Sequence, residues 1–368
     1  MSIHTVYFIG SILSLDEHPT FRETIIEQFS DPYYDWNNFI WTCSNHLVLP
    51  AIYLKFRDHN LLFCIPDVLA NHLKEIYELN RIRNEQILLQ VKEITATLNL
   101  AGISPIFMKG TGNLIAEVYN DIGERIIGDI DLLVQENEYL ATIERAKTIG
   151  YTNYWGEPRN PMKMKHYPRL YKLGVPADLE IHRIPVKSEY SSYFSSEMMF
   201  RQKTAIVNLP GCFVPCNNDK IIQNFIHSQL SNSGHRLGTV SLRDINDIYL
   251  LSKKSDLATA FAQINKERET KAYIAIFQKL LGLPITISQS VSSRFFLWKH
   301  DLNLTSAIFY KINRIPWVIA GIILHGYPKQ IKEAIQYSEA RQSLLKRIVS
   351  PKWYVHHFNI YKKLISGN

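Results

Sequence analysis

The feature that most constrains this chain is the segment Gly128–Val134, which reads Gly-Asp-Ile-Asp-Leu-Leu-Val. Aliphatic residues around two acids predict a β-strand, in which successive side chains point to opposite faces of the sheet. Asp129 and Asp131 therefore share one face, while the aliphatic face can be buried. Two neighbouring carboxylates repel each other unless a cation lies between them. A hard divalent cation such as Mg²⁺ suits this arrangement, and a solvated or salt-bridged strand face is the alternative.

A glycine-containing segment precedes the two aspartates. Residues 103–113 read Ile-Ser-Pro-Ile-Phe-Met-Lys-Gly-Thr-Gly-Asn, which predicts a short apolar strand, a Lys-Gly-Thr-Gly turn and a helix through about Tyr119. Glycines let backbone N–H groups approach a ligand closely, and the start of a helix favours anions. A tight strand-to-helix turn without a ligand is the alternative. Arg125 lies four residues before Asp129 and can reach the same pocket. The candidates for contact with phosphate are Lys109, Gly110, Thr111 and Arg125.

A third acid is predicted on a later strand. Two candidate strands, His166–Leu173 and Ala177–Ile184, flank a Gly-Val-Pro turn. The second contains Asp-Leu-Glu-Ile-His, and its strict alternation of polar and apolar residues is typical of a half-buried strand. Asp178, Glu180 and His182 share its polar face. Glu180 is central and is the candidate third carboxylate, with Asp178 as the competitor.

The order of these motifs resembles the nucleotidyltransferases of the DNA polymerase beta superfamily. More narrowly, the chain is similar to a poorly characterised bacterial family with a Lys-Gly turn and an Asp-Ile-Asp-Leu-Leu-Val motif. The resemblance is strongest over about residues 103–184 and extends more loosely through 243–247 and 347–354. One departure is that Gly110-Thr111 stands where the superfamily usually has Gly-Ser or Gly-Gly, with a longer spacer before Asp129. That longer spacing suits the narrower family.

Length and composition predict an ordered globular protein. A chain of 368 residues with 46% hydrophobic and 12% aromatic residues can bury a large core. Apolar residues recur at helical spacing in the N-terminal third, including a long run from Pro66 to Ala101. The resemblance implies an α+β fold, with a polymerase-beta-like mixed sheet and helical flanking regions. The predicted divisions are an N-terminal helical region over 1–101, a nucleotidyltransferase core over 102–215 and a C-terminal helical region over 216–368.

The resemblance implies metal-dependent nucleotidyl transfer, in which an NMP moves from an NTP to a hydroxyl and pyrophosphate leaves. Asp129, Asp131 and Glu180 would bind Mg²⁺ or Mn²⁺. Two metal ions about 3.5–4 Å apart stabilise the attacking and leaving oxygens of an in-line displacement. Lys109 and Arg125 would offset the charge of the triphosphate. Glu180 or a metal-bound hydroxyl would deprotonate the acceptor.

His182 has a supporting place in this scheme, either orienting the third carboxylate or contacting substrate. Two other classes of function remain open. Glycosyltransferases also use Asp-x-Asp to hold a metal and a nucleotide sugar, and the same fold can serve a non-catalytic nucleotide-sensing or partner-binding protein. The acceptor can be a small molecule, an RNA or a protein, because acceptor pockets vary on a shared fold.

Basic residues collect near the predicted site, and the net charge of the chain is +7. Such a group attracts a triphosphate or a nucleic acid, although a solvated basic face is the commoner explanation. Further helices are predicted over 219–230 and 242–251. In the second helix, ion pairs or caps are favoured over substrate contact for Arg243, Asp244 and Asp247. The collected basic residues are Lys163, Lys165, His166, Arg169, Lys172 and Arg183.

The remaining sequence features predict a cytoplasmic protein with no membrane partner and no membrane-spanning segment. The apolar run Val6–Leu13 is short and lacks a Lys/Arg-rich start, so it does not read as a signal peptide. The run Ile315–Leu324 is too short to span a bilayer and contains Pro316. The four cysteines form no dense disulfide framework, and free thiols are favoured over a zinc site.

Overall fold

The computed structural model describes residues 3–154, 156–284, 290–321 and 327–366. The chain forms two compact units. The first consists of Met1–Arg236 and Val240–Leu297, and the second of Leu237–Thr239 and Trp298–Asn368. The sheet and the predicted site residues all lie in the first unit. The predicted division of the chain near residues 101 and 215 stays a prediction.

The first unit begins with helices, as the sequence predicts. The long helix confirms the predicted run from Pro66 to Ala101, and its apolar side chains, such as Leu73 and Ile87, are fully buried. A helix of this length is stabilised mainly by packing of its apolar stripe. The helices are α1 Ile3–Leu13, α2 Phe21–Phe29, α3 Trp36–Asn45, α4 Leu49–Asp58 and α5 Asp67–Asn99.

Two buried asparagines in the middle of α5 fix the loop that leads to the aspartate strand. The side-chain amide of Asn80 donates hydrogen bonds to the carbonyls of Gly123 and Arg125, at 2.7 and 3.1 Å. That of Asn84 donates to the carbonyls of Ile122 and Arg125, at 2.7 and 2.9 Å. Each bond satisfies a loop carbonyl that has no partner in a ladder. The polar middle of α5 is therefore a clamp on residues 122–125.

In the described residues the sheet has seven strands, in the order β3-β4-β5-β2-β1-β7-β6. It is mixed, because β2 pairs with β5 and β1 with β7 in parallel, whereas the other four pairings are antiparallel. Helices precede and follow the strands along the chain. This architecture confirms the predicted α+β class. The strands are β1 Ile106–Phe107, β2 Asp129–Leu133, β3 Thr152–Asn153, β4 Leu170–Tyr171, β5 Asp178–His182, β6 Thr204–Ala205 and β7 Phe213–Val214.

Several elements are shorter than the sequence predicts. The strand predicted over His166–Leu173 is reduced to β4, because Pro168 has no N–H to donate to a ladder. The helix predicted through about Tyr119 begins at Lys109 itself and ends at Ile115. It ends there because Glu117 adopts a φ of +50°, outside the right-handed helical region.

The helices that follow belong to the first unit, apart from Leu237 at the end of one helix and residues 298–305 of another, which the second unit includes. In chain order they are α6 Lys109–Ile115, α7 Tyr139–Thr148, α8 Ser196–Gln202, α9 Asn217–Phe225, α10 Gly234–Leu237, α11 Leu242–Ser252, α12 Leu257–Phe261, α13 Glu267–Leu280 and α14 Val291–Thr305. A π-helical segment, Ile226–Ser231, continues directly from α9. Wider turns of this kind are frequent at functional sites, because they re-aim side chains.

The second unit is helical. Its helices are α15 Ala307–Gly321, α16 Tyr327–Gln336, α17 Ser338–Ile348 and α18 Pro351–Ser366. Within the described part of the chain, no helix combines the length and the apolar character that crossing a membrane requires. Of the apolar run noted in the sequence, residues 322–324 lie outside the described residues.

An ion-pair cluster around Asp16 predicts a pH-dependent contribution to stability. Its carboxylate lies 2.5 Å from Nζ of Lys55 and 3.0 Å from Nε2 of His59. Burial alone would raise the pKa of Asp16, but the hydrogen bonds from Lys55 and His59 outweigh it and lower the pKa to about 2. Because the folded-state pKa is depressed, the stabilisation is present above pH 4 and is lost as pH falls towards about 2.

We therefore expect Asp16→Asn to lower the free energy of unfolding at pH 7 by about 1–2 kcal/mol, allowing for partial exposure of the cluster. The difference from wild type should be smaller at pH 3. Urea unfolding at the two pH values measures both. Glu17→Gln is the matched control, because the carboxylate of Glu17 is more exposed and forms a longer ion pair, with Lys253 at 3.5 Å. An equal loss in the control, or a loss that does not depend on pH, would contradict this account.

Candidate active site

The parallel pairing of β2 and β5 brings the predicted acids together. Asp131 lies opposite Glu180, and Asp129 lies opposite Asp178. The intervening aliphatic residues of both strands are fully buried, which fixes the register, because a slip by one residue would turn the acids into the core. Alternation along each strand and the pairing of the two strands together place four carboxylates on one face of the sheet.

Arg169 joins two of these acids. In the antiparallel pairing of β4 with β5, Leu170 lies opposite Leu179, so Arg169 is directly across from Glu180. Its Nη2 donates to Oε1 of Glu180 at 2.9 Å and to Oδ2 of Asp129 at 2.8 Å. The guanidinium thus bridges carboxylates that would otherwise repel each other.

Lys109 holds the third acid. Its Nζ lies 2.5 Å from Oδ1 of Asp131, and the backbone N–H of Met108 donates to the carbonyl of Asp131 at 2.9 Å. The hydroxyl of Thr111 donates to the carbonyl of Asp129 at 2.9 Å. Lys109 also has a φ of +52°, which is unfavourable for a residue with a side chain. Such strain persists where surrounding contacts over-determine the backbone, commonly at functional sites.

The charges at the site shift the pKa values of its acids in opposite directions. Burial alone would raise the pKa of Asp131, but the charge of Lys109 and the hydrogen bond from His182 hold it well below its usual range. Burial would also raise the pKa of Glu180, but the hydrogen bond from His182 acts in the opposite direction. The net effect is a pKa of about 2 for Glu180. Burial and the charge of Asp131 raise the pKa of Asp129. Asp129 is therefore the least compensated acid, and a cation beside it would stabilise its charge.

One group of side chains could hold a metal ion. Ligand atoms of Asp131, Glu180 and His182 all lie within 4.8 Å of one another. Two carboxylates and an imidazole are a donor set that suits divalent cations. The set of metal ligands predicted from the sequence contains Asp129, whereas the set found in the structure contains His182 in its place. The structure places His182 Nε2 2.7 Å from Asp131, while the carboxylate of Asp129 accepts a hydrogen bond from Arg169.

A cavity of about 410 Å³, a volume suited to a small ligand, lies beside the acids. Part of its lining comes from β2, β5 and the segments beside them: Lys109, Gly110, Asn113, Arg125, Ile127, Gly128, Asp129, Asp131, Arg169 and Glu180. The remainder comes from α9, the π-helical segment and α11: Lys220, Gln223, Asn224, His227, Arg243, Asp244 and Asp247. Negatively and positively charged side chains therefore line the same cavity.

Arg125 lies in the cavity wall with its charge already paired. Its Nε donates to Oδ1 of Asp247 at 3.0 Å, and its Nη2 donates to Oδ2 at 3.1 Å. The hydroxyl of Tyr119 donates to the same carboxylate at 3.0 Å. Both partners of the ion pair are buried. Asp247 thus takes part in an ion-pair network, which is one of the two structural roles favoured for it in the sequence analysis over substrate contact.

Lys220 is the buried cation that the sequence interpretation missed. Its side chain lines the cavity although the residue is only 6% exposed. Its ammonium has no hydrogen bond or ion pair within the described residues. Burial and the nearby charge of Lys254 lower its pKa to about 8. A buried cation without a counter-charge is costly and indicates a place where an anion can bind. The only sequence signal is a lysine beside Ile221 and Ile222 in an amphipathic helix.

Six of the eight predicted site residues line the cavity, and the other two contact the lining. Thr111 hydrogen-bonds the backbone of Asp129, and His182 contacts Asp131. Asp178, the competitor for the third carboxylate, is absent from the lining as far as the described residues show, whereas Glu180 is present. The six lining residues are Lys109, Gly110, Arg125, Asp129, Asp131 and Glu180.

The fold and the site together define a nucleotidyltransferase-like protein. A model of the family described as "Uncharacterised nucleotidyltransferase" matches residues 32–280, more than half of the chain. The chain belongs to this family, in agreement with the resemblance of its motifs. No curated protein matches the sequence.

Proposed function

We propose that this protein transfers a nucleoside monophosphate from an NTP to a hydroxyl of an acceptor, with release of pyrophosphate. The observation that supports this most is the set of three carboxylates, Asp129, Asp131 and Glu180, beside one cavity on two adjacent strands. The match to a nucleotidyltransferase family supports the reaction class. The paired parallel strands explain why the acids come from two different segments of the chain.

In this proposal Asp129, Asp131 and Glu180 hold Mg²⁺ or Mn²⁺, and His182 positions two of these carboxylates. When bound, the divalent cation neutralises phosphate charge and polarises the reacting phosphorus. Carboxylate oxygens are suitable ligands for both ions. Glu180, with a pKa of about 2, is ionised at neutral pH and accepts a hydrogen bond from the acceptor hydroxyl.

The cationic lining binds the triphosphate in this proposal. Lys109 and Arg125 lie beside the acids, and Gly110 at the start of α6 allows backbone N–H groups to approach a phosphate. The ion pair with Asp247 holds the guanidinium of Arg125 in place. Lys220 adds a buried charge from α9. Preorganised charges of this kind stabilise the departing pyrophosphate more strongly than mobile ones.

The experiment that tests the proposal uses the purified chain, Mg²⁺ or Mn²⁺, each labelled NTP in turn and a cell extract as the source of acceptors. We expect metal-dependent pyrophosphate release together with a labelled product. The size of that product assigns the acceptor to RNA, protein or small molecules. Release of nucleoside diphosphate from a nucleotide sugar would indicate a glycosyltransferase instead. NTP binding without pyrophosphate release in any extract would indicate a nucleotide-sensing protein.

Lys220→Gln should raise the KM for NTP about tenfold or more, because it removes a charged hydrogen-bond donor to phosphate. The lysine is charged below its pKa of about 8, so the wild-type KM should rise between pH 7 and pH 9. In the variant this rise should be smaller. Steady-state kinetics at both pH values measure the two effects. Lys92→Gln is the control, because Lys92 is exposed, lies outside the cavity lining and is not among the charges that shift the pKa of Lys220; an equal change there would assign the effect to general charge.

A further inference from the structure

The helices of the second unit leave apolar stripes exposed. In α15, Ile308, Ile312 and Ile319 recur at helical spacing and are 73%, 58% and 47% exposed. Ile315, between them on the same face, is half-exposed. The other three helices repeat this pattern at spacings of three or four residues. Their exposed pairs are Ile331 and Ile335 in α16, Leu345 and Ile348 in α17, and Val355 and Phe358 in α18.

The positive charge of the chain is concentrated in the same unit. Residues 298–368 contain eleven lysines and arginines but only three acids, which gives +8. The rest of the chain contains 30 lysines and arginines and 31 acids, which gives −1. The net charge of +7 therefore arises entirely from this segment. Exposed basic residues beside the apolar stripes include Lys311, Lys332, Lys346, Arg347 and Lys352.

We propose that the second unit binds the surface of a bilayer that contains anionic lipid. Basic amphipathic helices lie in the plane of such a surface, with apolar side chains at the boundary of the acyl chains and cations among the head groups. Each Lys or Arg near an anionic surface strengthens binding, and several act together. The charge of +8 is complementary to the negative charge of the lipid head groups, and the isoleucine stripes supply the apolar contact.

Two other occupants of these stripes fit the observations less well. A second copy of the chain would bring two units of charge +8 together, and like charges oppose such an interface. RNA would match the charge, but nucleic-acid surfaces use aromatic side chains for stacking, whereas aliphatic isoleucine, leucine and valine predominate in these stripes. An anionic bilayer satisfies both the charge and the aliphatic surface.

The test is co-sedimentation of the full-length protein with vesicles, in the absence of nucleotide. One set of vesicles contains phosphatidylcholine alone, and the other contains equal parts of phosphatidylcholine and phosphatidylglycerol. We expect binding to the anionic vesicles, little binding to the neutral ones, and weakening at high salt, which screens surface charges. This readout is independent of catalysis, so its failure and that of the proposed enzymatic activity are distinguishable.

Two variants test the two components of the surface. Ile308→Glu/Ile312→Glu removes the apolar contact and should weaken binding to anionic vesicles at least about tenfold. Its control is Ile82→Glu/Leu89→Glu, because these residues are 53% and 61% exposed on α5 of the first unit. All the substituted positions are exposed, and thermal unfolding checks that each variant remains folded.

The charge variant is Lys346→Glu/Arg347→Glu/Lys352→Glu, which should weaken binding about 100-fold or more. Its control makes the same change in net charge in the first unit and should bind as wild type does. That control is Lys74→Glu/Lys92→Glu/Arg145→Glu.

Four results would overturn the proposal. They are equal binding to neutral vesicles, anionic binding that survives in both test variants, and RNA gel shifts without vesicle binding. The fourth is a dimer, seen by sedimentation velocity, that Ile308→Glu/Ile312→Glu dissociates while vesicles are not bound.

Discussion

Asp129→Asn should lower the rate of nucleotidyl transfer by about 10³-fold or more, while the protein stays at least as stable as wild type. The substitution keeps the size of the side chain but removes one negative charge from the site that is proposed to hold the metal ion. Loss of several kcal/mol of charge stabilisation in the transition state corresponds to a rate change of this size. Pyrophosphate release at saturating NTP and Mn²⁺ measures the rate.

The stability of this variant follows from the same charges. Burial and Asp131 raise the pKa of Asp129, so the ionised carboxylate is less favourable in the folded protein than in the unfolded chain. Neutralising it relieves repulsion and sacrifices one hydrogen bond from the half-exposed Arg169. Thermal unfolding without metal should therefore show no loss, which separates a catalytic defect from a folding defect.

Asp178→Asn is the matched control for this prediction. Asp178 lies directly opposite Asp129 on the adjacent strand and is similarly half-buried, but it is outside the cavity lining. We expect its rate to stay within about threefold of wild type, as for a surface substitution away from the reaction. A large loss in Asp178→Asn, with normal activity in Glu180→Gln, would make Asp178 the third carboxylate.

The acid cluster could be predicted from the sequence because its signals are local. A strict alternation with period two fixes which side chains share a strand face, so Asp129 with Asp131, and Glu180 with His182, follow from the sequence alone. The long helix α5 was predictable for the same reason, through its helical spacing. The lengths of β4 and α6 were not, because they depend on Pro168 and on the left-handed backbone at Glu117.

Residues that join the site through tertiary packing could not be predicted in this way. Arg169 was placed in a basic group, and its position opposite Glu180 requires the register of the β4–β5 pairing. Lys220 reads as an ordinary helical lysine until packing buries it. Asp247 is 122 residues from Arg125 in sequence, and no local pattern connects them. Sequence spacing therefore gives the face of an element, whereas partners across elements depend on how they pack.

Asp247→Ala should lower the free energy of unfolding by about 3–5 kcal/mol. The substitution leaves the guanidinium of Arg125 buried without its counter-charge, and breaking a buried ion pair from one side has a cost of this size. It also removes the acceptor of the hydroxyl of Tyr119, a residue that is buried as well. Urea unfolding with circular dichroism measures the loss.

Asp244→Ala is the matched control, since Asp244 lies on the same helix and also lines the cavity. It contacts the partly exposed Arg243 at 3.3 Å, so its removal should cost about 0–1 kcal/mol. The double variant Arg125→Leu/Asp247→Leu should regain most of the stability that Asp247→Ala loses, because neither member of this ion pair is left buried without its partner. If the double variant were as unstable as Asp247→Ala, the loss would come from packing rather than from the charge. Recovery would show that Asp247 is needed to keep a cation in the cavity wall, and that the ion pair contributes little to folding beyond that.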